Sequence, residues 1–188
     1  RAHALARPDG VALRDKSHGI WRPTTWRAYW EAVEVVGHGL HALGVGPGDH
    51  VSILSDNRPE WLYADLGAQG IGARGVGIYQ TNPADDVAYV LSHSESKVLF
   101  CEDQEQVDKA VEIAAETPSV TTIVVFEPRG TLDYTDPRLM SWDEFLKKGR
   151  AAMAAAEPGW FEARVEALDP EAASMVVYTS GTTGQPKG

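Results

Sequence analysis

The sequence is poor in cysteine and in long apolar runs. Its 188 residues contain one cysteine, Cys101, which has no partner for an internal disulfide, so nothing in the chain requires an oxidising compartment. No apolar run approaches the roughly 20 residues of a membrane-spanning helix, and the opening RAHALARPDG lacks the apolar centre of a signal peptide. We therefore expect a soluble, cytoplasmic protein without a transmembrane segment, for which peripheral membrane contact stays open.

Positive charge is also scarce. The chain has 17 Lys and Arg against 27 Asp and Glu, which gives a formal net charge of -10. A nucleic-acid surface needs clustered basic residues to neutralise phosphates, so this balance argues against nucleic acid as a partner. The hydrophobic content of 43% is sufficient for the core of one domain. Small molecules are the expected partners.

Short apolar runs alternate with capped helical segments along most of the chain. Strands are predicted at 11–15, 50–54, 76–79, 97–101, 120–126 and 175–178, the last of them buried. Helices are predicted to begin at Thr25, Asn57, 82–85, Asp103 and Ser141. Segment 127–139 is expected to be an irregular loop. Near-continuous Val and Ile runs between helices indicate an α/β fold, with a mainly parallel sheet and helices on both faces.

The last predicted strand leads into YTSGTTGQPKG, residues 178–188. Gly181 and Gly184 let the backbone approach a ligand closely, and Lys187 adds a mobile positive charge. Hydroxyl groups that can turn toward anionic oxygens are offered by Thr179, Ser180, Thr182 and Thr183. Each hydrogen bond to a charged group contributes roughly 1.5–3 kcal/mol, and several converge here. The composition predicts a polyphosphate-binding loop, at the strand end where open α/β sheets bind ligands.

Two familiar glycine motifs do not describe this chain. A Walker A loop closes on Gly-Lys-Ser/Thr and opens a helix, whereas residues 185–186 separate Gly184 from Lys187. The segment GIGARG, residues 70–75, spells a dinucleotide-binding GxGxxG pattern, but it follows a predicted helix and leads into a strand. That order is the reverse of a dinucleotide-binding turn, so we interpret the segment as a helix-end turn with close packing.

Other reactive side chains are interpreted as structural. His38 and His41 share a helix, but no cysteine or carboxylate cluster accompanies them, so we interpret them as a surface or packed pair and assign no metal site. Cys101 ends a buried-looking strand beside two acidic residues, which disfavour a thiolate. We expect it to be an inert core residue.

The segment YTSGTTGQPKG resembles the phosphate-binding signature of the adenylate-forming superfamily, which comprises acyl-CoA synthetases, firefly luciferases and the adenylation domains of nonribosomal peptide synthetases. The stretches SDNRPEWLYADLGAQGIGA (55–73) and GIYQTNPADDVAYVLSHSESKVLFCED (77–103) resemble the long-chain fatty acyl-CoA synthetase branch. The resemblance implies that residues 1–188 are the N-terminal portion of an AMP-binding (adenylation) domain, truncated just after the phosphate-binding loop.

The resemblance also implies an activity, that of an AMP-forming fatty acid–CoA ligase. ATP and a long-chain carboxylate give an acyl-adenylate and diphosphate, and coenzyme A then displaces AMP. We expect Thr182, Thr183 and Lys187 to act catalytically by stabilising the departing diphosphate. The supporting phosphate cradle is formed by Thr179, Ser180, Gly181 and Gly184.

The remaining parts implied by the resemblance are expected beyond residue 188. These are the adenine and ribose site, the Mg²⁺ ligand, most of the acyl pocket and a small C-terminal domain with its lysine. Residues 1–188 alone are therefore expected to be inactive. Two alternatives stay open: an adenylation domain that loads a carrier protein, and a noncatalytic phosphate-binding or interaction module.

Overall fold

The computed structural model describes residues 1–179 and 187–188 of the chain. Its strands are β1 (Val11–Ser17), β2 (Ile20–Thr25), β3 (His50–Leu54), β4 (Arg74–Ile78), β5 (Val98–Cys101), β6 (Thr122–Val125), β7 (Leu139–Ser141) and β8 (Met175–Val177). Its helices are α1 (Ala2–Ala6), α2 (Trp26–Ala42), α3 (Pro59–Gly70), α4 (Ala84–Ser94), α5 (Gln104–Glu112), α6 (Trp142–Ala155) and α7 (Trp160–Glu166).

Six of the strands form one parallel sheet in the order β7-β6-β5-β3-β4-β8. Strands β1 and β2 form a separate antiparallel hairpin. Because every strand of the large sheet runs in the same direction, all of its carboxyl ends meet at one edge. The predicted α/β fold with a mainly parallel sheet is confirmed.

Helices cover both faces of this sheet. Successive residues of a strand point to opposite faces, so Ile53 packs with α2, α3, α6 and α7, while its neighbour Leu54 packs with α4 and α5. On β5, Phe100 packs on the same face as Ile53, and Leu99 packs on the same face as Leu54. All four side chains are fully buried. Strands buried on both faces account for the continuous apolar runs in the sequence.

Three of the predicted helix starts carry a side-chain cap. The side chain of Thr25 accepts from the Ala28 N–H, and that of Asp103 accepts from the Gln106 N–H. Ser141 and Glu144 form a reciprocal capping box at the start of α6. These side chains satisfy backbone donors that a helix leaves unpaired at its N-terminus.

The predicted cap at Asn57 is wrong. Helix α3 begins at Pro59, and Arg58 occupies the cap position in an extended conformation without a side-chain cap bond. Proline disfavours helical geometry in the residue before it and has no N–H of its own to be capped. Glu60 accepts instead from Arg58 Nε at 2.7 Å.

Four of these elements lie where the sequence predicted none, namely α1, β2, β7 and α7. Strand β7 ends the segment expected to be only a loop, and helix α7 follows α6. Phe161 of α7 is fully buried against Gly37 and Gly70, where an added Cβ would lie 2.3 Å from its ring. Glycines on two other helices therefore provide the space in which α7 packs.

Strand β8 differs from its predicted burial. Met175 is 36% exposed and Val177 60% exposed, because β8 pairs only with β4 in the described part of the sheet.

The GIGARG segment between α3 and β4 is a helix-end turn, as interpreted from the sequence: α3 ends at Gly70, and Gly72 has the positive φ of +80° that favours glycine. Within the described residues, no helix has the length and apolar character needed to cross a bilayer.

Candidate active site

The predicted phosphate loop begins and ends on a closed stem. Thr179 and Lys187 form an antiparallel bridge in which each N–H donates to the other residue's carbonyl at 3.0 Å. The other predicted site residues lie outside the described part of the chain: Ser180, Gly181, Thr182, Thr183 and Gly184. The structure therefore brings together two of the seven predicted residues, and these fix where the loop leaves the sheet.

The stem lies at the carboxyl edge of the parallel sheet. The last register pair between β4 and β8 is Gly77 with Val177, and the stem follows directly. A pocket of about 290 Å³ opens beside it, between the segments that follow β3, β4 and β8. It is lined by Ser55, Asp56, Asn57, Trp61, Tyr79 and Tyr178, among others. This is the edge at which open α/β sheets bind their ligands.

The walls of this pocket are held by residues of neighbouring elements. The Asp56 N–H donates to Glu102 Oε2 at 2.7 Å, which ties the segment after β3 to the end of β5. Lys109 Nζ of α5 donates to the Gln80 carbonyl at 2.6 Å, which ties down the segment after β4. Hydrogen bonds to charged groups are the stronger kind, so both connections are fixed before any ligand binds.

A group of three aromatic side chains supports the stem from the α4 side. His93 Nδ1 lies 2.7 Å from the Tyr178 hydroxyl, and the Tyr89 ring stacks on the imidazole of His93. Burial, followed by the neighbouring Tyr89, raises the pKa of Tyr178 above its ordinary value, so its hydroxyl stays protonated at neutral pH.

Sequence reasoning missed Tyr89 and His93. Their spacing of four residues shows that they share a face of α4, but it does not show what that face meets. The contact with Tyr178 exists because β8 inserts beside β4, and that strand order is a property of the whole sheet.

The side chains interpreted as structural are confirmed in that role. His38 and His41 both pack on Trp160, with ring centroids 4.6 and 4.8 Å apart. Cys101 is fully buried, and burial raises the pKa of its thiol well above the ordinary value. No group of three or more His, Cys, Asp or Glu side chains in the described residues is arranged to hold a metal ion.

A comparison with protein families decides the assignment. The model of the family described as "AMP-binding enzyme" matches residues 1–188. The chain belongs to this AMP-binding enzyme family. The family resemblance seen in the loop and in the two upstream stretches is thereby confirmed.

Curated relatives of this AMP-binding family member carry names of fatty acid–CoA ligases. It is 32% identical to a long-chain-fatty-acid–CoA ligase of Xenopus laevis over 180 residues. This alignment covers 96% of this chain and 24% of the relative. It is 32% identical over 186 residues to a long-chain-fatty-acid–CoA ligase of Mycobacterium bovis, covering 99% and 29%. A fatty acyl-CoA synthetase of Dictyostelium discoideum is 34% identical over 185 residues, covering 94% and 26%. The chain thus spans less than a third of the length of these relatives.

Solved structures of related enzymes share the fold. The acetoacetyl-CoA synthetase of Streptomyces lividans matches with a TM-score of 0.74 and 24% identity, covering 98% of this chain and 28% of that one. An anthranilate CoA ligase in complex with anthranoyl-AMP matches with a TM-score of 0.69 and 24% identity, covering 97% and 32%. The parallel sheet and its flanking helices are therefore the architecture of these synthetases.

Proposed function

We propose that residues 1–188 are the N-terminal portion of the AMP-binding domain of an AMP-forming long-chain fatty acid–CoA ligase, truncated just after its phosphate-binding loop. The observation that carries this proposal is the closed stem of Thr179 and Lys187 at the carboxyl edge of the sheet, which bounds the sequence SGTTGQP. Relatives named as long-chain fatty acid–CoA ligases support the substrate class.

The proposed reaction has two steps. A carboxylate oxygen attacks the α-phosphorus of ATP, and the bond from that phosphorus to the diphosphate breaks, which gives an acyl-adenylate. The thiolate of coenzyme A then attacks the acyl carbon, and AMP leaves as the thioester forms. Negative charge grows on the diphosphate during the first step, so donors aimed at it stabilise the transition state more than they stabilise bound ATP.

We assign that stabilisation to Thr182, Thr183 and Lys187. The backbone N–H and carbonyl of Lys187 are used in the stem, which leaves its ammonium group for the phosphates. The backbone of Thr179 is used in the same way and leaves its hydroxyl for binding. The cradle is completed by Ser180, Gly181 and Gly184.

The adenylation chemistry of such a ligase also calls for Mg²⁺, which neutralises phosphate charge when it is bound. The described residues do not bring together the ligands that it needs. We propose that its ligand lies outside residues 1–188, together with the adenine site and the acyl pocket. No catalytic step is assigned to the ion.

We further propose a cytoplasmic location, with peripheral contact to a membrane surface that supplies the acyl substrate. The reason is chemical, because long-chain carboxylates partition into bilayers. Flotation of the purified full-length protein with phosphatidylcholine vesicles containing palmitate tests this contact. Recovery of the protein only in the unbound fraction would contradict it.

Ligase activity is tested on the purified full-length protein with palmitate, ATP and coenzyme A. We expect palmitate-dependent exchange of labelled diphosphate into ATP and formation of palmitoyl-CoA. Exchange without the thioester, together with acylation of a carrier protein, would favour the carrier-loading alternative. Absence of exchange with every carboxylate would favour the noncatalytic module. Residues 1–188 alone should show no exchange, because the proposal places the adenine site outside them.

A further inference from the structure

The stem of the phosphate loop starts from a strand that constrains it weakly. Strand β8 has three residues and pairs only with β4 among the described strands. Its Val177 side chain is 60% exposed, so that side chain has little packing against the core. Within the described residues, the backbone attachment of the stem to the sheet is this short edge strand and the bridge between Thr179 and Lys187. A side-chain contact from a neighbouring helix would add a second attachment to this stem.

The Tyr178 ring provides contact with both sides of the stem. Tyr178 immediately precedes Thr179, and Gly188 immediately follows Lys187. Gly188 lies against the Tyr178 ring so closely that an added Cβ would be 2.8 Å from ring atoms Cε2 and Cζ. The orientation of this one ring therefore influences both ends of the loop.

His93 fixes that ring to a rigid helix. Its Nδ1 is 2.7 Å from the Tyr178 hydroxyl. The imidazole is stacked on Tyr89 at 5.5 Å and 22°, and Tyr89 meets Tyr178 edge-on at 6.4 Å and 87°. Helix α4 itself is anchored by buried residues, including Val87 and Leu91, which are 0% and 1% exposed.

We propose that His93 is a positioning residue for the stem of Thr179 and Lys187, acting through its hydrogen bond to Tyr178. This inference rests on the proposed function, because it concerns the loop that binds the phosphates of ATP. Donors that stabilise a transition state work by being held in place before the reaction, and a displacement of about 1 Å can cost two orders of magnitude in rate. His93 itself does not touch the substrate.

The first test measures the stem without any substrate. Hydrogen–deuterium exchange is followed at the Thr179 and Lys187 amides, both of which donate in the bridge. His93→Leu and Tyr178→Phe should each speed this exchange roughly threefold to tenfold, the range that corresponds to one neutral hydrogen bond. Exchange in β3 and β5 should not change. Unaltered stem exchange in both variants would overturn the proposal, whether or not the protein is a ligase.

The second test separates positioning from general destabilisation. In diphosphate exchange, His93→Leu should raise KM for ATP roughly threefold to tenfold and leave KM for the carboxylate unchanged. His93→Asn places an amide near the position of Nδ1 and should restore most of the lost affinity. His41→Leu is the matched control, because His41 also packs on an aromatic ring but lies on α2. Equal changes in His93→Leu and His41→Leu would contradict the positioning role.

The coupling of the two residues is tested with a double variant. If His93 acts only through Tyr178, the combination of His93→Leu and Tyr178→Phe should be no worse than the more impaired single variant. Multiplication of the two single effects would show that His93 acts by another route and would overturn the proposal. Diphosphate exchange by the wild type is measured in the same series. Its absence would contradict the ligase assignment, whereas the effects of the variants on stem exchange test the role of His93 independently.

Discussion

At the scale of single residues, Lys187 has two separable roles. Its backbone closes the loop through the bridge to Thr179, and its side chain is the only charged group between residues 178 and 188. Lys187→Ala removes the charge and keeps both backbone hydrogen bonds. We therefore expect an intact fold and a rate of adenylate formation lower by roughly 10²–10³, the usual loss for one donor to a developing anion. Thr182→Ala should behave similarly.

The measurement is single-turnover adenylation of palmitate, with thermal unfolding as the check on folding. Lys148→Ala is a suitable control, because Lys148 is an exposed lysine on α6. A wild-type rate in Lys187→Ala and Thr182→Ala would remove the loop from the mechanism.

Asp65 is a second residue with a separable effect, this time on stability. Its Oδ2 accepts from Gln69 Nε2 at 2.8 Å, while its Oδ1 is buried without a hydrogen-bond partner beside Gly75. Burial raises the pKa of Asp65 above its ordinary value of 3.8, partly offset by the Gln69 hydrogen bond. A raised folded-state pKa means that folding favours the protonated acid.

The sign of the pH dependence follows from this shift. The stabilising contribution of protonated Asp65 is fully present below the unfolded-state pKa, and it is lost as the pH rises through the raised folded-state pKa. Asp65→Asn cannot ionise, so the free energy of unfolding of this variant relative to the wild type should increase between a pH below the unfolded-state pKa of about 3.8 and neutral pH. Urea unfolding at both pH values measures the difference. The exposed Asp133→Asn is the control, and a pH-independent difference for Asp65→Asn would contradict the prediction.

At the scale of elements, helix starts provide a matched pair of substitutions. Ser141→Ala removes a capping box that is present at the start of α6, so we expect it to lower the free energy of unfolding by about 1 kcal/mol. Asn57→Ala alters a residue that caps no helix, so we expect a change of less than about 0.5 kcal/mol. Urea unfolding of the two variants under the same conditions measures both values. Equal losses of unfolding free energy in the two variants would mean that the cap hydrogen bond of Ser141 does not account for the loss in Ser141→Ala.

The contrast between these helix starts also shows which elements can be predicted from sequence. Thr25, Asp103 and Ser141 were predictable because a cap and the helix that it opens are close in sequence. Strands β3, β5 and β6 were predictable because burial on both faces produces continuous apolar runs. Helix α7 was not predictable in this way, because its position depends on the fit of Phe161 against Gly37 and Gly70, which are more than 90 residues away in sequence.

At the scale of the whole molecule, the same distinction applies to the candidate site. The phosphate-binding loop could be proposed from sequence alone, because its hydroxyls, glycines and lysine are contiguous and follow a strand. Its support by His93 was not predictable, because α4 and β8 meet only through the strand order of the sheet. A contiguous motif shows what chemistry a loop can perform, and the fold determines which distant residues hold it.

The substrate preference is also a property of the whole molecule, and we predict that it favours a long-chain fatty acid. The stretches at 55–73 and 77–103 resemble the long-chain branch, and relatives 31–34% identical to this chain bear that name or the broader name of fatty acyl-CoA synthetase. Each buried methylene contributes about 0.8 kcal/mol, so an acyl tunnel can separate palmitate from acetate by orders of magnitude.

The decisive measurement is kcat/KM for coenzyme A thioester formation by the full-length protein, across acetate, octanoate, palmitate, an aromatic acid and several amino acids. We expect kcat/KM to rise from acetate to palmitate, because the free energy of burying each added methylene is available to the transition state. A maximum at acetate, at the aromatic acid or at an amino acid would contradict the long-chain preference. That outcome would leave membership of the AMP-binding enzyme family in place, because membership rests on the family match over residues 1–188 and not on the choice of carboxylate.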